Sequence, residues 1–192
     1  MLYSEIKSGT EKVPETKGLS DYFLFFGRLE LYKGVENLLR AFSNYSGTRK
    51  LVIAGKGRVN ILQKALSKNV ILINRFIKDE EIKDLFEKAC CVVFPYKSAT
   101  QVGPISIAYC FKKPVVISAV PALMEKFDFG HPEGILVSRN DIFSLSYALD
   151  LMDREDLKKQ FEENCKTAYS KYYNPSDLAR KLNELFLEVM LR

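Results

Sequence analysis

The chain is poor in the residues that build metal sites and disulfide frameworks. Its 192 residues include one histidine, four cysteines and no tryptophan. The cysteines are Cys90, Cys91, Cys110 and Cys165; no two form a C-x-x-C pair, and only His131 exists to join them. This pattern argues against a zinc site and favours buried thiols in a reducing, cytosolic environment.

Long apolar runs and blocks of like charge are also missing. No apolar run is long enough to span a bilayer, and residues 1–20 lack the apolar centre of a signal peptide. The formal net charge is only +5, with lysines scattered among glutamates, so we expect a solvated surface and no nucleic-acid partner. A mild positive bias still suits anionic nucleotides or an anionic membrane face.

What the chain does have is an alternation of strand and helix patterns. Short apolar runs rich in β-branched and aromatic residues recur at residues 23–26, 51–54, 70–73, 91–94, 114–117 and 134–137. They are continuous rather than alternating, which is typical of strands covered on both faces. The sequence therefore predicts an α/β domain with a doubly wound, Rossmann-like parallel sheet of about six strands.

Helical spacing separates or follows these runs. It is seen at residues 35–42, 61–66 and 79–86, and from Asp141 almost to the end, with a break around Asn174 and Pro175. These patterns predict helices on both faces of the sheet and a group of C-terminal helices that closes the domain.

A pair of cations follows the first strand. The run 23–26 stops at Gly27, and Arg28 and Lys33 come before a second glycine, Gly34. In an open α/β sheet, ligands bind outside the carboxyl ends of the strands, and two cations there suit a diphosphate. The alternative is an ordinary surface arginine and lysine beside a turn.

A second candidate anion site follows the fourth strand. The loop 98–104 leads to Pro104, which suits the first position of a helix. Free backbone N–H groups at a helix start bind anions, and Gly103 allows a close approach of the backbone. A nicotinamide cofactor is a weaker hypothesis, because the fingerprint begun by Gly55 and Gly57 needs a third glycine where Asn60 stands.

Six short motifs follow one another along the chain. They are Gly27-Arg28-Leu29 with Lys33-Gly34, Val52-Ile53-Ala54-Gly55 with Gly57, Ile77 with Asp79-Glu80-Glu81-Ile82, Val93-Phe94-Pro95, Lys113-Pro114-Val115-Val116, and Gly134-Ile135-Leu136-Val137. In this order they resemble the C-terminal, donor-binding domain of retaining GT-B glycosyltransferases of the family-four, group 1 type. The resemblance covers about residues 21–153.

The resemblance implies transfer of a sugar, with retention, from a nucleotide-sugar to an acceptor hydroxyl. Arg28 and Lys33 are the implied catalytic residues, since fixed cations stabilise the charge that builds on the departing phosphate. No Asp-x-Asp occurs, so we expect no metal, and no cofactor beyond the nucleotide-sugar substrate. The implied donor-binding residues are Gly27, Arg28, Lys33, Ile77, Thr100, Gln101, Gly103 and Pro104.

Two of these assignments have open alternatives. Ile77 lies in a turn that in the family receives the nucleobase through its backbone, but a purely core role is an equal alternative. The family usually has two glutamates eight positions apart, where this chain has Ala99 and Ile107. The segments 99–103 and 108–109 resemble a subgroup with Ala-Thr-Gln-Ser-Gly and Ala-Tyr, in which Thr100 and Gln101 supply polar contacts. The loss of both carboxylates motivates an alternative function, a non-catalytic, transferase-like binding module.

The resemblance also sets expectations for organisation and partners. Residues 1–20, called the arm below, correspond to an interdomain linker, and residues 21–192 form the nucleotide-sugar-binding domain. The N-terminal acceptor domain of the fold is absent, so we expect a fragment or half of a split enzyme that is inactive alone. Its partners are a nucleotide diphosphate sugar and the missing domain. We expect a cytoplasmic protein of polysaccharide biosynthesis, either free or in peripheral contact with the inner membrane face.

Overall fold

The apolar runs form strands covered on both faces. A computed structural model describes residues 3–58 and 67–190, without the side chains of residues 3–5 and 188. The helix predicted over 61–66, and Asn60, lie outside the described residues. The strands are β1 (Tyr22–Phe26), β2 (Leu51–Ala54), β3 (Val70–Ile73), β4 (Ala89–Phe94), β5 (Val115–Ser118) and β6 (Gly134–Val137).

These strands build one six-stranded sheet in the order β3-β2-β1-β4-β5-β6, and every neighbouring pair is parallel. The centre of the sheet is the core of the molecule: Leu24 of β1 pairs in register with Val52 on one side and Val92 on the other. All three side chains are fully buried. The prediction of a Rossmann-like, doubly wound parallel sheet is confirmed.

Helices cover both faces of the sheet, as right-handed crossovers between parallel strands require. The helices are α1 (Tyr3–Ser8), α2 (Val35–Ser43), α3 (Asp79–Lys88), α4 (Pro104–Cys110), α5 (Pro121–Met124), α6 (Ile142–Leu151), α7 (Glu155–Tyr172) and α8 (Pro175–Met190). Helix α2 packs against α6, α1 against α3, and α4 against α7. None of the described helices is long and apolar enough to cross a membrane.

The arm packs against the domain. Ile6 of α1 and Val13 are buried in the core. The backbone N–H of Val13 donates a 3.1 Å hydrogen bond to buried Asp84 on α3, whose carboxylate also pairs with Lys12 at 3.1 Å and Lys88 at 2.9 Å. The arm is therefore held to α3 by apolar burial and by charge. The assignment of residues 1–20 as an interdomain linker stays a prediction.

The strand order places the topological switch point between β1 and β4. The chain crosses from β1 to β2 on one side, and from β4 to β5 on the other. The loops that follow β1 and β4 lie at this point on the carboxyl edge of the sheet, which is where open α/β folds bind ligands in a crevice.

Candidate functional site

The loop after β1 carries the two predicted cations. Gly27 turns the chain out of the strand at φ +144°. The Arg28 side chain is 74% exposed and pairs with Glu30 at 3.1 Å. A 3-10 turn, Leu31–Lys33, then ends at Gly34, whose φ of +69° lets the chain enter α2. The loop thus presents one cation to solvent and fixes the other in a tight turn.

Lys33 is buried, with only 8% of its surface exposed. Its Nζ atom lies over the Tyr96 ring, 3.9 Å from the ring centroid, and 5.1 Å from the centroid of Tyr32. Burial, reinforced by the positive charge of Arg28 and opposed by Glu30, lowers the pKa of Lys33 to about 8. Among the described residues, no carboxylate forms an ion pair with this ammonium group.

The loops after β1 and β4 are in direct contact. The backbone N–H of Lys97 donates to the carbonyl oxygen of Tyr32 at 2.8 Å. A Cβ atom at Gly34 would overlap the carbonyl oxygen of Pro95. Only glycine permits this approach, and the approach brings the Tyr96 ring under Lys33.

The predicted phosphate loop continues from this contact. Thr100, Gln101 and Gly103 are exposed, and Pro104 is the first residue of α4. The hydroxyl of Ser106 donates to the Gly103 carbonyl oxygen at 2.7 Å, which ties the loop to the first turn of the helix. The structure therefore places these predicted donor-binding residues on the same edge of the sheet as the cations.

The two positions that the sequence analysis compared with glutamates carry apolar side chains that contact the core. Ala99 and Ile107 are partly buried and pack against the hydrophobic core. Neither side chain carries a charge or a hydrogen-bonding group, so polar side-chain contacts from the 98–104 loop are left to Ser98, Thr100 and Gln101, which are all exposed.

The loop after β3 is tied down by an arginine. Arg75 pairs with Glu15 of the arm at 2.9 Å and with buried Glu81 of α3 at 2.7 Å. Hydrogen bonds from Arg75 lower the pKa of both carboxyl groups. The Ile77 side chain is buried, whereas Phe76 beside it is 72% exposed. The side chain of Ile77 is therefore core, and the predicted contact of its backbone with a nucleobase stays a prediction.

Sequence reasoning missed Tyr96 and Tyr32. The signal was present, since both tyrosines lie in the segments that follow the two strands at the switch point. Their shared contact with Lys33 could not be predicted without the strand order, because residues 64 positions apart become neighbours only when β1 and β4 pair. Within the described ranges, no group of three or more His, Cys, Asp or Glu side chains is placed to hold a metal ion.

Comparisons with known proteins agree with this architecture. Residues 20–152 match the family model described as Glycosyl transferases group 1. No curated protein sequence matches the chain.

Several solved structures have the same fold. HepE from Anabaena, in complex with UDP and glucose, is 18% identical, with a TM-score of 0.77 over 98% of this chain and 53% of HepE. HepE has also been solved with UDP alone and with UDP-glucose. Sucrose-phosphate synthase from Thermosynechococcus elongatus is 19% identical, with a TM-score of 0.76 over 93% of this chain and 47% of the synthase.

The chain thus spans about half the length of these two structures. The C-terminal domain of the group 1 glycosyl transferase LpcC from Francisella tularensis matches over nearly its full length. It is 18% identical, with a TM-score of 0.73 over 91% of this chain and 99% of the LpcC domain. These likenesses show the shared fold.

Proposed function

The chain belongs to the glycosyl transferases group 1 family and has the fold of its C-terminal, GT-B domain, and from that premise we propose that it is the donor-binding half of a nucleotide-sugar-dependent glycosyltransferase. The proposed reaction moves a sugar to an acceptor hydroxyl with retention of configuration and without a metal ion. The acceptor would be held by a second domain across the crevice.

The observation that carries the proposal is that two cations, Arg28 and Lys33, lie at the switch point. Arg28 offers an exposed guanidinium group, and Lys33 offers an ammonium group that no described carboxylate neutralises. Both lie where a ligand of an open α/β sheet binds. The solved structures that resemble this chain include HepE in complexes with UDP and with UDP-glucose. A nucleoside diphosphate is therefore the proposed ligand.

The chemistry follows from charge. When the bond between the sugar carbon and the phosphate oxygen breaks, its electrons remain on that oxygen, and the negative charge of the diphosphate grows. Arg28 and Lys33 would donate hydrogen bonds to the phosphate oxygens and stabilise this charge, each by about 1.5–3 kcal/mol. The acceptor hydroxyl would attack on the face that the phosphate leaves: its oxygen bonds to the sugar carbon, and its proton passes to the departing phosphate oxygen. The backbone of the 100–104 loop would contact the same phosphates.

Thermal unfolding with nucleoside diphosphates tests the proposal. UDP, GDP, ADP, CDP and dTDP are compared, with NAD as the dinucleotide control. At about a hundred times its dissociation constant, a ligand adds about 2.7 kcal/mol and should raise the Tm by roughly 5–10 °C in a domain of this size. We expect a shift with one of the five, and a much smaller shift in the Lys33→Met variant.

A second function, a non-catalytic binding module, is favoured by Ala99 and Ile107, which leave the site without the two usual carboxylates. Absence of any nucleotide-dependent shift would support this alternative. A shift that depends on Lys33 would argue against it. A shift with NAD alone would instead indicate an oxidoreductase half.

We also propose that the chain alone transfers no sugar, because it spans about half the length of the structures that it resembles. To measure transfer, the purified chain is incubated with each nucleotide-sugar and a sugar acceptor, and the release of free nucleoside diphosphate is followed. Detectable transfer would contradict it. A cytoplasmic position, in the assembly of surface polysaccharides, is part of the same proposal.

A further inference from the structure

The environment of Lys33 is unusual for a buried cation. Buried charges are normally paired with an opposite charge. Here the ammonium group lies over the face of one aromatic ring and near a second, and the described part of the chain provides it with no carboxylate partner. Glu30 is near enough to act on its charge, but Glu30 forms its ion pair with Arg28.

An aromatic partner has a consequence that a carboxylate would not have. The negative face of an aromatic ring attracts an ammonium group without forming a hydrogen bond to it and without cancelling its charge. A carboxylate would satisfy the donors of Lys33 and compete with a phosphate for them. The ring leaves the donors of Lys33 available while still restricting where its Nζ atom lies.

The Tyr96 ring is itself held firmly. The residue is fully buried, and Phe94 of β4 packs edge-on against it at 5.7 Å between ring centroids. The Tyr96 hydroxyl has no hydrogen-bond partner among the described residues. The features that can act on Lys33 are therefore the ring and its rigid position.

We propose that Tyr96 is a positioning residue for the donor site: its ring holds the uncompensated ammonium group of Lys33 at the switch point, ready for a diphosphate. This rests on the proposed donor-binding function. The other charged or titratable groups that act on Lys33 are Arg28, Glu30 and Tyr32, all from the loop after β1.

The first test needs no nucleotide. The Lys33 Cε atom is bonded to the Nζ atom that lies over the Tyr96 ring, so its protons should give NMR signals shifted upfield by the ring. These signals are assigned by their loss in Lys33→Met. We expect the upfield shift to persist in Tyr96→Phe, which keeps the ring, and to vanish in Tyr96→Leu. No upfield-shifted lysine signal, or one that survives in Tyr96→Leu, would overturn the proposal.

The second test measures UDP affinity by calorimetry in a double-mutant cycle. We expect Tyr96→Phe to bind like wild type and Tyr96→Leu to bind about tenfold more weakly, the size expected from a desolvated cation–π contact. In the Lys33→Met background, Tyr96→Leu should cause no further loss, because Tyr96 acts through Lys33. An equal loss in both backgrounds, or a loss in Tyr96→Phe as large as in Tyr96→Leu, would refute the positioning role.

Two safeguards keep the outcomes separate. Tyr96→Met, whose unbranched side chain also fills the space, replaces Tyr96→Leu if the latter does not fold. If the wild-type NMR signals are ring-shifted but inorganic pyrophosphate and all five nucleoside diphosphates fail to bind, the contact between Tyr96 and Lys33 stands and the proposed donor-binding function is wrong.

Discussion

At the scale of single residues, Lys33 should make nucleotide binding sensitive to alkaline pH. Its pKa in the free protein is about 8, and the proposed diphosphate ligand would bind the protonated form. We therefore expect UDP affinity to be steady near pH 7 and to fall above pH 8, approaching about tenfold per pH unit. Calorimetry from pH 7 to 9.5 measures this. Lys33→Met should bind weakly with no such fall, and parallel profiles for the two proteins would contradict the assignment.

The same lysine should lower stability at neutral pH. The pKa of Lys33 falls from 10.5 to about 8 on folding. At pH values between these two, the unfolded chain keeps a proton that the folded chain has released. The free energy of unfolding of the wild type therefore rises with pH across this range. Below pH 8 the full cost of burying the charge applies. We expect Lys33→Met to raise the free energy of unfolding at pH 7 by about 1–2 kcal/mol.

Urea unfolding at pH 7 and pH 9.5 measures the effect, and the advantage of Lys33→Met should shrink at the higher pH. Arg28→Gln is the matched control, because the Arg28 side chain is 74% exposed. Its change should stay within about 0.5 kcal/mol. A Lys33→Met variant less stable than wild type at pH 7 would show that the cation–π contacts outweigh the burial cost.

The sequence contains enough to nominate Arg28 and Lys33 but not to describe their environments. Both follow a strand and precede a glycine, so their place at the carboxyl edge is predictable. The difference in exposure between the two side chains cannot be predicted in this way. Lys33 is buried because β4 pairs with β1 and brings Tyr96 across, and this pairing depends on a crossover that local sequence does not encode.

At the scale of elements, the direct contact between the loops after β1 and β4 depends on Gly34. A side chain there meets two penalties, a left-handed backbone at φ +69° and an overlap with the Pro95 carbonyl oxygen. Gly18 allows the two penalties to be measured separately, because it has a similar φ of +75° but no atom within 4 Å of the place that a Cβ atom would occupy. We expect Gly18→Ala to cost about 1–2 kcal/mol, and Gly34→Ala to cost clearly more.

Gly34→Ala should also weaken UDP binding, because relieving the overlap moves Tyr96 away from Lys33, whereas Gly18→Ala should bind UDP normally. Denaturant unfolding and calorimetry on both variants give the comparison. Equal stability losses in the two variants would mean that the loops separate at little cost.

The strands show how far local pattern determines the elements. Three of the six, β2, β3 and β6, have the bounds that the apolar runs predict, because charged or turn residues flank each run. β4 begins two residues earlier, at Ala89, since pairing with Tyr22 of β1 extends it. The helical turn in the arm was not predicted, because α1 is short and takes its stability from the burial of Ile6 against α3.

At the scale of the whole molecule, the distribution of exposed apolar side chains is uneven. In the described part of the chain, seven of the thirteen large exposed hydrophobic residues lie on α8. Leu178, Leu182, Leu185 and Val189 recur at helical spacing, so they form a stripe along one face of the helix. A contiguous apolar stripe of this kind favours association between molecules.

We therefore expect concentration-dependent self-association of the chain, driven by this stripe. Replacing Leu182, Leu185 and Phe186 with glutamine should reduce association in sedimentation velocity runs, because glutamine keeps the helix and removes the apolar surface. The Tm should change little, since these side chains are 55%, 60% and 60% exposed.

The control variant replaces Phe143 and Tyr147 of α6, which are 82% and 65% exposed, with serine. This variant should associate like the wild type. Loss of association in the α6 variant but not in the α8 variant would place the contact on α6, and wild-type chain that stays monomeric at all concentrations would refute the prediction.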